Sequence, residues 1–415
     1  MKKLILLALL PFLFVGCKEE EVEFGTLFTT NAVQWFDWVV VSDSKGKVLS
    51  YKQVTQEGEV LRLSGGTNDE SVNVTFVMPE RDGYAFRLKT YQDIPRNSNF
   101  TFDGSANLEV EDKENVGSFT ITINDFNDGL DGFYSFIFND GFSQSYSNIE
   151  RSSVTYENGY YSATVFLHQE ESDLLISSYW EGKPVYYELN GVLPEDEITI
   201  SFEDFKPMTP VSISLQELSG SVAGLYDASF SRVDELSDLT PWSNSQSSSN
   251  SDYQELGYVS GYPFYAVTLA GNVSSSSNYY QSVYYQSIVE NLPSEIVVNE
   301  FSSEITNSSI DRFTISIDQA HTYAEVDFIY SEAGDYFVWS FITPEGSQLQ
   351  PFAIPDEIVD SYSPLGNIDQ VNFSYAQFVK LDESETYTGR VEELITEKSR
   401  GTFADVRYSL WPKAQ

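Results

Sequence analysis

The 415-residue sequence predicts an all-β protein built of tandem antiparallel β-sandwich modules, immunoglobulin-like or prealbumin-like, behind an N-terminal signal. Three observations carry that expectation. Aromatic residues make up 15% of the chain (29 Phe, 27 Tyr, 6 Trp), and such side chains suit the pleated, half-buried surface of a strand. Short runs alternate apolar and polar residues, as in 71–77 (SVNVTFV), 118–123 (SFTITI), 211–215 (VSISL) and 313–317 (FTISI). That is the period-two signal of a strand with one buried face. Helical periodicity is nearly missing, the best candidate being Val391 to Lys398.

The first segment is a targeting signal. Met1-Lys2-Lys3 precedes an apolar run from Leu4 to Val15, and Gly16 is a small residue at a cut site. That layout is a secretory signal peptide. The run is too short for a membrane span, which needs roughly 20 apolar residues, and Pro11 interrupts it. The stretch Phe14-Val15-Gly16-Cys17 resembles the lipobox of bacterial lipoproteins. The resemblance implies cleavage after Gly16, a thioether-linked diacylglycerol on Cys17 and acylation of the new amino terminus. Residues 1–16 are then a signal peptide and 17–23 a lipidated acidic tether, with the membrane as a partner through Cys17. Two or more acyl chains hold a protein stably where one binds marginally.

Lys18-Glu19-Glu20-Glu21 follows the cysteine. A basic residue followed by acidic ones is similar to the export signal of Bacteroidota-type surface lipoproteins. It implies a lipid anchor in the outer membrane with the chain facing the cell exterior. The same run also reads as a plain solvated tether, since like charges repel and extend a chain.

The body of the chain divides by repeats. Trp38-Val39-Val40-Val41-Ser42, then Asp43-Ser44-Lys45-Gly46, then Lys47-Val48-Leu49 is a hairpin with a turn between apolar runs, the glycine being able to take positive φ. This opening resembles the start of prealbumin-like and carboxypeptidase-regulatory-like sandwich modules. Pro95, Pro194 and Pro293 are spaced 99 residues apart in both intervals, each after an apolar residue and before a polar stretch and a new strand. Leu193-Pro194-Glu195-Asp196-Glu197-Ile198 and Leu292-Pro293-Ser294-Glu295-Ile296 are the clearest pair, and Ala353-Ile354-Pro355-Asp356-Glu357-Ile358 is a fourth, early copy. A period near a hundred residues matches one sandwich rather than a solenoid repeat. The expected modules are 24–117, 118–210, 211–312 and 313–415, the third carrying Ser-rich loops at 242–251 and 274–277.

Composition restricts function. The net charge is −40, from 63 acidic and 23 basic residues, which repels phosphate and excludes nucleic acid as a partner. Cys17 is the single cysteine, so disulfides, cysteine-zinc sites and cysteine nucleophiles are excluded beyond it. The two histidines, His168 and His321, sit at predicted strand ends and read as surface residues. No His-Glu-x-x-His, Gly-x-Ser-x-Gly or glycine-rich phosphate loop occurs. With 63 carboxylates no glycosidase pair can be singled out. The loop from Asn124 to Gly132 offers hard oxygens from Asp125, Asn127, Asp128 and Asp131, the ligand type calcium takes. It departs from the EF-hand spacing, and a plain turn between Ile123 and Phe133 is the leading reading; no other cofactor is expected.

Tyr258, Tyr262, Phe264 and Tyr265, then Tyr279, Tyr280, Tyr284 and Tyr285, form aromatic clusters. Exposed, they would stack on sugar rings; buried, they would pack a core. Aromatics at strand positions usually pack cores or pair across strands, and adjacent residues of a strand point to opposite faces, so the face each one takes is not set by the sequence. The expected function is a non-enzymatic surface lipoprotein that captures a glycan or polymer. Its anchor, length and modular β plan are similar to the starch-binding lipoproteins of polysaccharide-utilisation systems, without a shared binding motif. An adhesion or assembly factor acting through a protein partner is the alternative, and a glycosidase the third.

Overall fold

The computed structural model describes residues 21–29, 36–56, 60–79, 85–102, 115–126, 136–139, 150, 153–157, 159–180, 183–216, 224–231, 246–248, 255–260, 264–273, 278–299, 301–332, 335–396 and 403–413. Within them the chain is all-β, as its alternation and aromatic content predict, with several mostly antiparallel sheets.

Three successive stretches repeat one strand plan. The first comprises β1 (Glu21–Thr29), β2 (Trp38–Ser42), β3 (Val48–Gln53), β4 (Val60–Gly66), β5 (Ser71–Pro79), β6 (Ala85–Pro95) and β7 (Phe100–Phe102). The second comprises β8 (Gly117–Phe126), β9 (Ile137–Asn139), β10 (Thr155–Glu157), β11 (Gly159–Leu167), β12 (Ser172–Trp180), β13 (Lys183–Val192) and β14 (Glu197–Ser201), followed by β15 (Lys206–Pro207). The third comprises β16 (Thr209–Gln216), β17 (Gly224–Ser231), β18 (Gln246–Ser248), β19 (Glu255–Tyr258), β20 (Phe264–Val273), β21 (Tyr279–Val289) and β22 (Glu295–Asn299).

Lettered A to G in chain order, each stretch pairs A with D antiparallel and A with G parallel. In each, E pairs with both B and F antiparallel. The plan is thus two sheets, D-A-G and B-E-F, with C added to B in the first and third copies and to D in the second. An immunoglobulin domain instead pairs A-B-E-D and C-F-G, so the immunoglobulin half of the expectation is the one the pairing does not follow. Pro95 ends strand F of the first copy, and Pro194 and Pro293 lie in the connection between strands F and G of the second and third. The registers agree as well: Ile198 lies opposite Ile121 in the second copy, and Ile296 opposite Ile213 in the third.

Local chemistry fixes the turns. In the β2–β3 hairpin the Asp43 carboxylate accepts from the backbone N–H of Lys45 (2.9 Å) and Lys47 (2.8 Å). Gly46 takes φ +78° there, and an added Cβ would meet the Pro351 carbonyl oxygen at 2.4 Å. Strand alternation is strict where one face is buried: along β11, Tyr161, Ala163, Val165 and Leu167 point inward.

The fourth stretch is built differently. It holds β23 (Ser303–Asn307), β24 (Thr314–Ile317), β25 (Tyr323–Glu332), β26 (Asp335–Pro344), helix α1 (Asp356–Ser361), β27 (Asn372–Lys380), helix α2 (Tyr387–Thr396) and β28 (Phe403–Pro412). The fourth proline copy opens a helix and not a strand. Pro355 is the residue before α1, and Asp356 and Glu357 fill its first turn, where negative side chains favour the helix N-terminus. The helix expected at Val391 to Lys398 is α2, which starts four residues earlier; Val391 and Ile395 share its buried face.

Strands β25–β28 splice the first and third copies together. β26 pairs in parallel with β6, and β28 pairs with β21. One twelve-stranded sheet results, in the order β18-β17-β20-β21-β28-β27-β25-β26-β6-β5-β2-β3. Pairing therefore crosses the expected boundary at 312 and joins 24–117 to 313–415.

The sheet is covered unequally. On one face, side chains of β2 and β5 (Val39, Val41, Val74, Phe76) pack with Leu61, Leu63 and Phe100 and with Val391 and Ile395 of α2. On the other face, Val326, Phe328, Trp339 and Phe341 pack with Val211 and Ile296 of the third copy and with Ile358 and Leu365. The second copy encloses its own core, from Phe119 to Phe202.

Candidate ligand-binding face

Alternation along β25 divides its residues. Ala324, Val326, Phe328 and Tyr330 enter the large core, so Glu325 and Asp327 point to the opposite face. Register then sets their neighbours. Tyr280 lies opposite Trp411. Tyr375 stands one step beyond the last β27–β28 pair, Ala376 with Leu410, and so faces Trp411. Asp327 pairs with Tyr375 on one side and Ser340 on the other, and Ser340 with Lys89. Tyr280, Trp411, Tyr375, Asp327, Ser340 and Lys89 thus form a single row across six strands. At about 4.8 Å between strands the row is roughly 24 Å long. A second row beside it runs Ser282, Ser409, Gln377, Glu325.

The two rows are polar and cross-linked. The Gln377 amide donates to Tyr375 Oη (2.7 Å) and to Ser409 Oγ (3.1 Å), and Tyr375 Oη lies 3.0 Å from Ser409 Oγ. Further along β28, Arg407 donates to Gln286 Oε1 (3.2 Å) and Asp405 Oδ2 (3.4 Å), its guanidinium 5.5 Å from the Tyr284 ring centre. Tyr280 is 51% exposed and its ring centre is 5.9 Å from that of half-buried Trp411, at 34°. Lys413 Nζ sits 5.6 Å from the Tyr280 ring. Among the described residues no core cluster includes Tyr280, Trp411, Tyr375, Asp327, Glu325, Gln377 or Ser409.

Asp327 is the chemically distinctive member. Its Oδ1 is shielded from solvent and has no hydrogen-bond partner among the described residues. Burial pushes its carboxyl up to about 6. A hydrogen bond from Ser340 opposes the shift, Glu325 adds to it, and Arg87 and Lys89 oppose it. An unpaired acceptor at this depth costs free energy unless something donates to it. No family model matches the chain, and no curated protein matches it in sequence.

The aromatic clusters separate by face. Tyr279 packs against Phe373 (6.1 Å) and Tyr285 against the large core, whereas Tyr280 and Tyr284 take the open face. Tyr265 is buried against half-buried Tyr258 (5.2 Å); Tyr262 lies outside the described residues. His321 Nδ1 is 3.3 Å from the Gln319 carbonyl oxygen and 3.8 Å from Glu345 Oε1, at the start of β25; His168 follows the end of β11. Of the expected calcium ligands, Asp125 has φ +60° and accepts from Ser201 Oγ (2.9 Å); Asn127, Asp128 and Asp131 lie outside the described residues. Among the described residues no group of three or more His, Cys, Asp or Glu is placed to hold a metal ion. Cys17, Lys18, Glu19 and Glu20 lie outside the described residues, and Glu21 opens β1. No described helix is long and apolar enough to cross a membrane.

Glu325 and Asp327 do not stand out in the sequence. Their signal was present in 323–330 (YAEVDFIY), where two charged residues, Glu325 and Asp327, alternate with the inward-pointing Ala324, Val326 and Phe328. What selects them from 63 carboxylates is burial, which alternation alone does not measure.

Proposed function

We propose that this chain is a lipid-anchored surface protein of the outer membrane that captures a glycan without cleaving it, on the open face of the twelve-stranded sheet. The lipobox-like Cys17 and the Lys18–Glu21 run support the anchor and its outward side. The observation that carries the binding reading is the Tyr280–Trp411 ring pair at the head of a hydrogen-bonding row. A sugar presents apolar C–H faces and a rim of hydroxyls, and the row offers rings for the first and donors and acceptors for the second. Few convergent polar groups beside an aromatic surface is the usual composition of a small-molecule site.

Affinity electrophoresis of the detergent-solubilised full chain through gels containing single polysaccharides tests this reading. Retardation by at least one polysaccharide is expected, and reduced by Trp411→Ala; free migration through a broad panel counts against it. For the anchor, Cys17→Ala should release the chain from membranes. Proteinase K on intact cells should degrade the wild type, and full protection would place it on the periplasmic side.

A further inference from the structure

We infer that one end of the first sandwich copy, built from the turns 43–47, 67–70 and 96–97, is the surface that rests against the lipid headgroups. The inference rests on the reading of Cys17 as a lipid anchor and goes further by naming the surface that meets the membrane.

Chain length sets the first constraint. β1 opens at Glu21, so only residues 18–20 separate it from Cys17. Four peptide steps reach at most roughly 14 Å. Buried acyl chains hold their cysteine at the headgroup boundary, so the start of β1 stays within that reach of the lipid. Register then identifies the loops that share this end. Glu21 lies opposite Gly66, the last residue of β4, and Phe28 opposite Val60, the first. From Gly66 to Val60 is six residues of strand, roughly 20 Å.

The turn 67–70 follows Gly66 directly and is tied to its neighbours. The Asp69 carboxylate accepts from the Ser44 backbone N–H (3.0 Å) and hydroxyl (2.7 Å). The Arg96 N–H donates to the Glu70 carbonyl oxygen (3.0 Å), and its guanidinium reaches that of Thr67 (3.5 Å). Pairing of Ser42 with Asn73 and of Ser71 with Pro95 puts the ends of β2 and β6 at the same level. The turns therefore form one braced end, and the short link holds that end to the bilayer.

Its chemistry suits headgroups and not acyl chains. The exposed side chains are Ser44, Lys45, Lys47, Asn68, Glu70 and Asn97. None of the large hydrophobic residues exposed among the described residues lies on these turns. Lys45 and Lys47 are attracted by lipid phosphate. The whole-chain charge of −40 opposes laying a longer side of the molecule on an anionic leaflet, so contact is confined to the end that the link dictates.

The single cysteine supplies the test. Lipidation consumes the Cys17 thiol, so a cysteine introduced elsewhere is the one reactive thiol. The full-length lipidated protein carrying Asn68→Cys is labelled with a bimane maleimide and placed in phosphatidylcholine–phosphatidylethanolamine vesicles that contain a headgroup-spin-labelled lipid. The label should lose most of its emission. Lys45→Cys is a second reporter on the same end, should the first disturb its turn. Gln56→Cys, exposed beyond β3 at the opposite end of the copy, should lose little. Inserting about twelve Gly and Ser residues ahead of Glu21 adds roughly 19 Å of mean reach and should relieve the quenching at Asn68. Equal quenching at both ends, or stronger quenching at Gln56, would overturn the inference and leave the anchor standing. Wild-type protein whose Cys17 reacts with the maleimide, or that does not stay on the vesicles, would instead sink the anchor reading, and the assigned end with it.

Discussion

The second sandwich copy and the C-terminal stretch have about the same length and the same alternating strands of nine or ten residues, but they bury them differently. Residues 118–210 fold two sheets onto one enclosed core that runs from Phe119 to Phe202. Residues 313–415 build no such sandwich. Their four long strands lie edge to edge between the first and third copies, and one face borrows cover from Val211 and Ile296 of the third copy. A strand always has two faces, and a sandwich needs only one of them. Where the strands are spliced into a larger sheet, α2 covers the second face at Tyr323, Ile342 and Val379, and beside that cover stand Asp327, Glu325, Tyr375 and Gln377.

The largest expected effect comes from breaking the two cores separately. Trp339 is 1% exposed, and its indole N–H donates to Thr90 Oγ1 of β6 at 2.8 Å. Trp339→Ala should cost about 3–5 kcal/mol, and hydrogen exchange should show β6, β21 and β25 losing protection together. Phe138→Ala, in the enclosed core, should cost a similar amount but loosen only 118–210. Equal loss of protection everywhere in both variants would erase the contrast.

A smaller effect is expected at the joint between the second and third copies. Leu175 and Met208 pack there against Val259 and Tyr265. A Cβ on Gly257 would meet Pro184 Cγ at 2.3 Å and Met208 Cβ at 2.7 Å, contacts too close to keep. Gly257→Ala should destabilise by about 1–3 kcal/mol through overpacking, read as a lower urea midpoint. Comparable in size is Tyr387→Phe. The Tyr387 hydroxyl lies 2.6 Å from the Gln92 carbonyl oxygen and 3.0 Å from that of Ile342, tying α2 to β6 and β26. Its removal leaves buried acceptors unpaired, worth about 1–3 kcal/mol, and should raise exchange in α2 first.

The smallest effect is in pH dependence. Asp327 binds its proton more tightly folded than unfolded, since its carboxyl is raised from 3.8 to about 6. The unfolded chain therefore ionises it first, and stability from this group is present at low pH and lost as pH rises through that window. Asp327→Asn should flatten this part of the stability curve. Subtracting the two curves removes the contribution of Asp69, Asp311 and Asp382, whose carboxyls hydrogen bonds hold below the usual range. A difference curve that rises with pH for the wild type would contradict the assignment.

Much of the architecture was legible in the sequence because its causes are local. Alternation in 118–123 and 211–215 marks strands β8 and β16, and Asp43 to Gly46 encodes a turn. The even spacing of Pro95, Pro194 and Pro293 marks the exit from strand F in three copies. The splice of β26 to β6 was not legible, since pairing partners 251 residues apart leave no local pattern. For the same reason the expected fourth module is read differently once the sheet is seen. The candidate face depends on that splice, so Tyr280 could be named beforehand but not oriented, and Asp327 could not be chosen from other carboxylates.

Two exposed aromatic positions give the central claim an internal control. Tyr280 beside Trp411 marks the open face, whereas Trp180, 38% exposed and stacked on Phe202 at 5.0 Å, marks the closed copy. Hydroxyl-radical footprinting of the full-length protein, with and without a retained neutral polysaccharide, reads both at once. Protection of Tyr280, Trp411 and Tyr375 with Trp180 unchanged is the predicted result. Protection at Trp180 with the row left as reactive as before would contradict it.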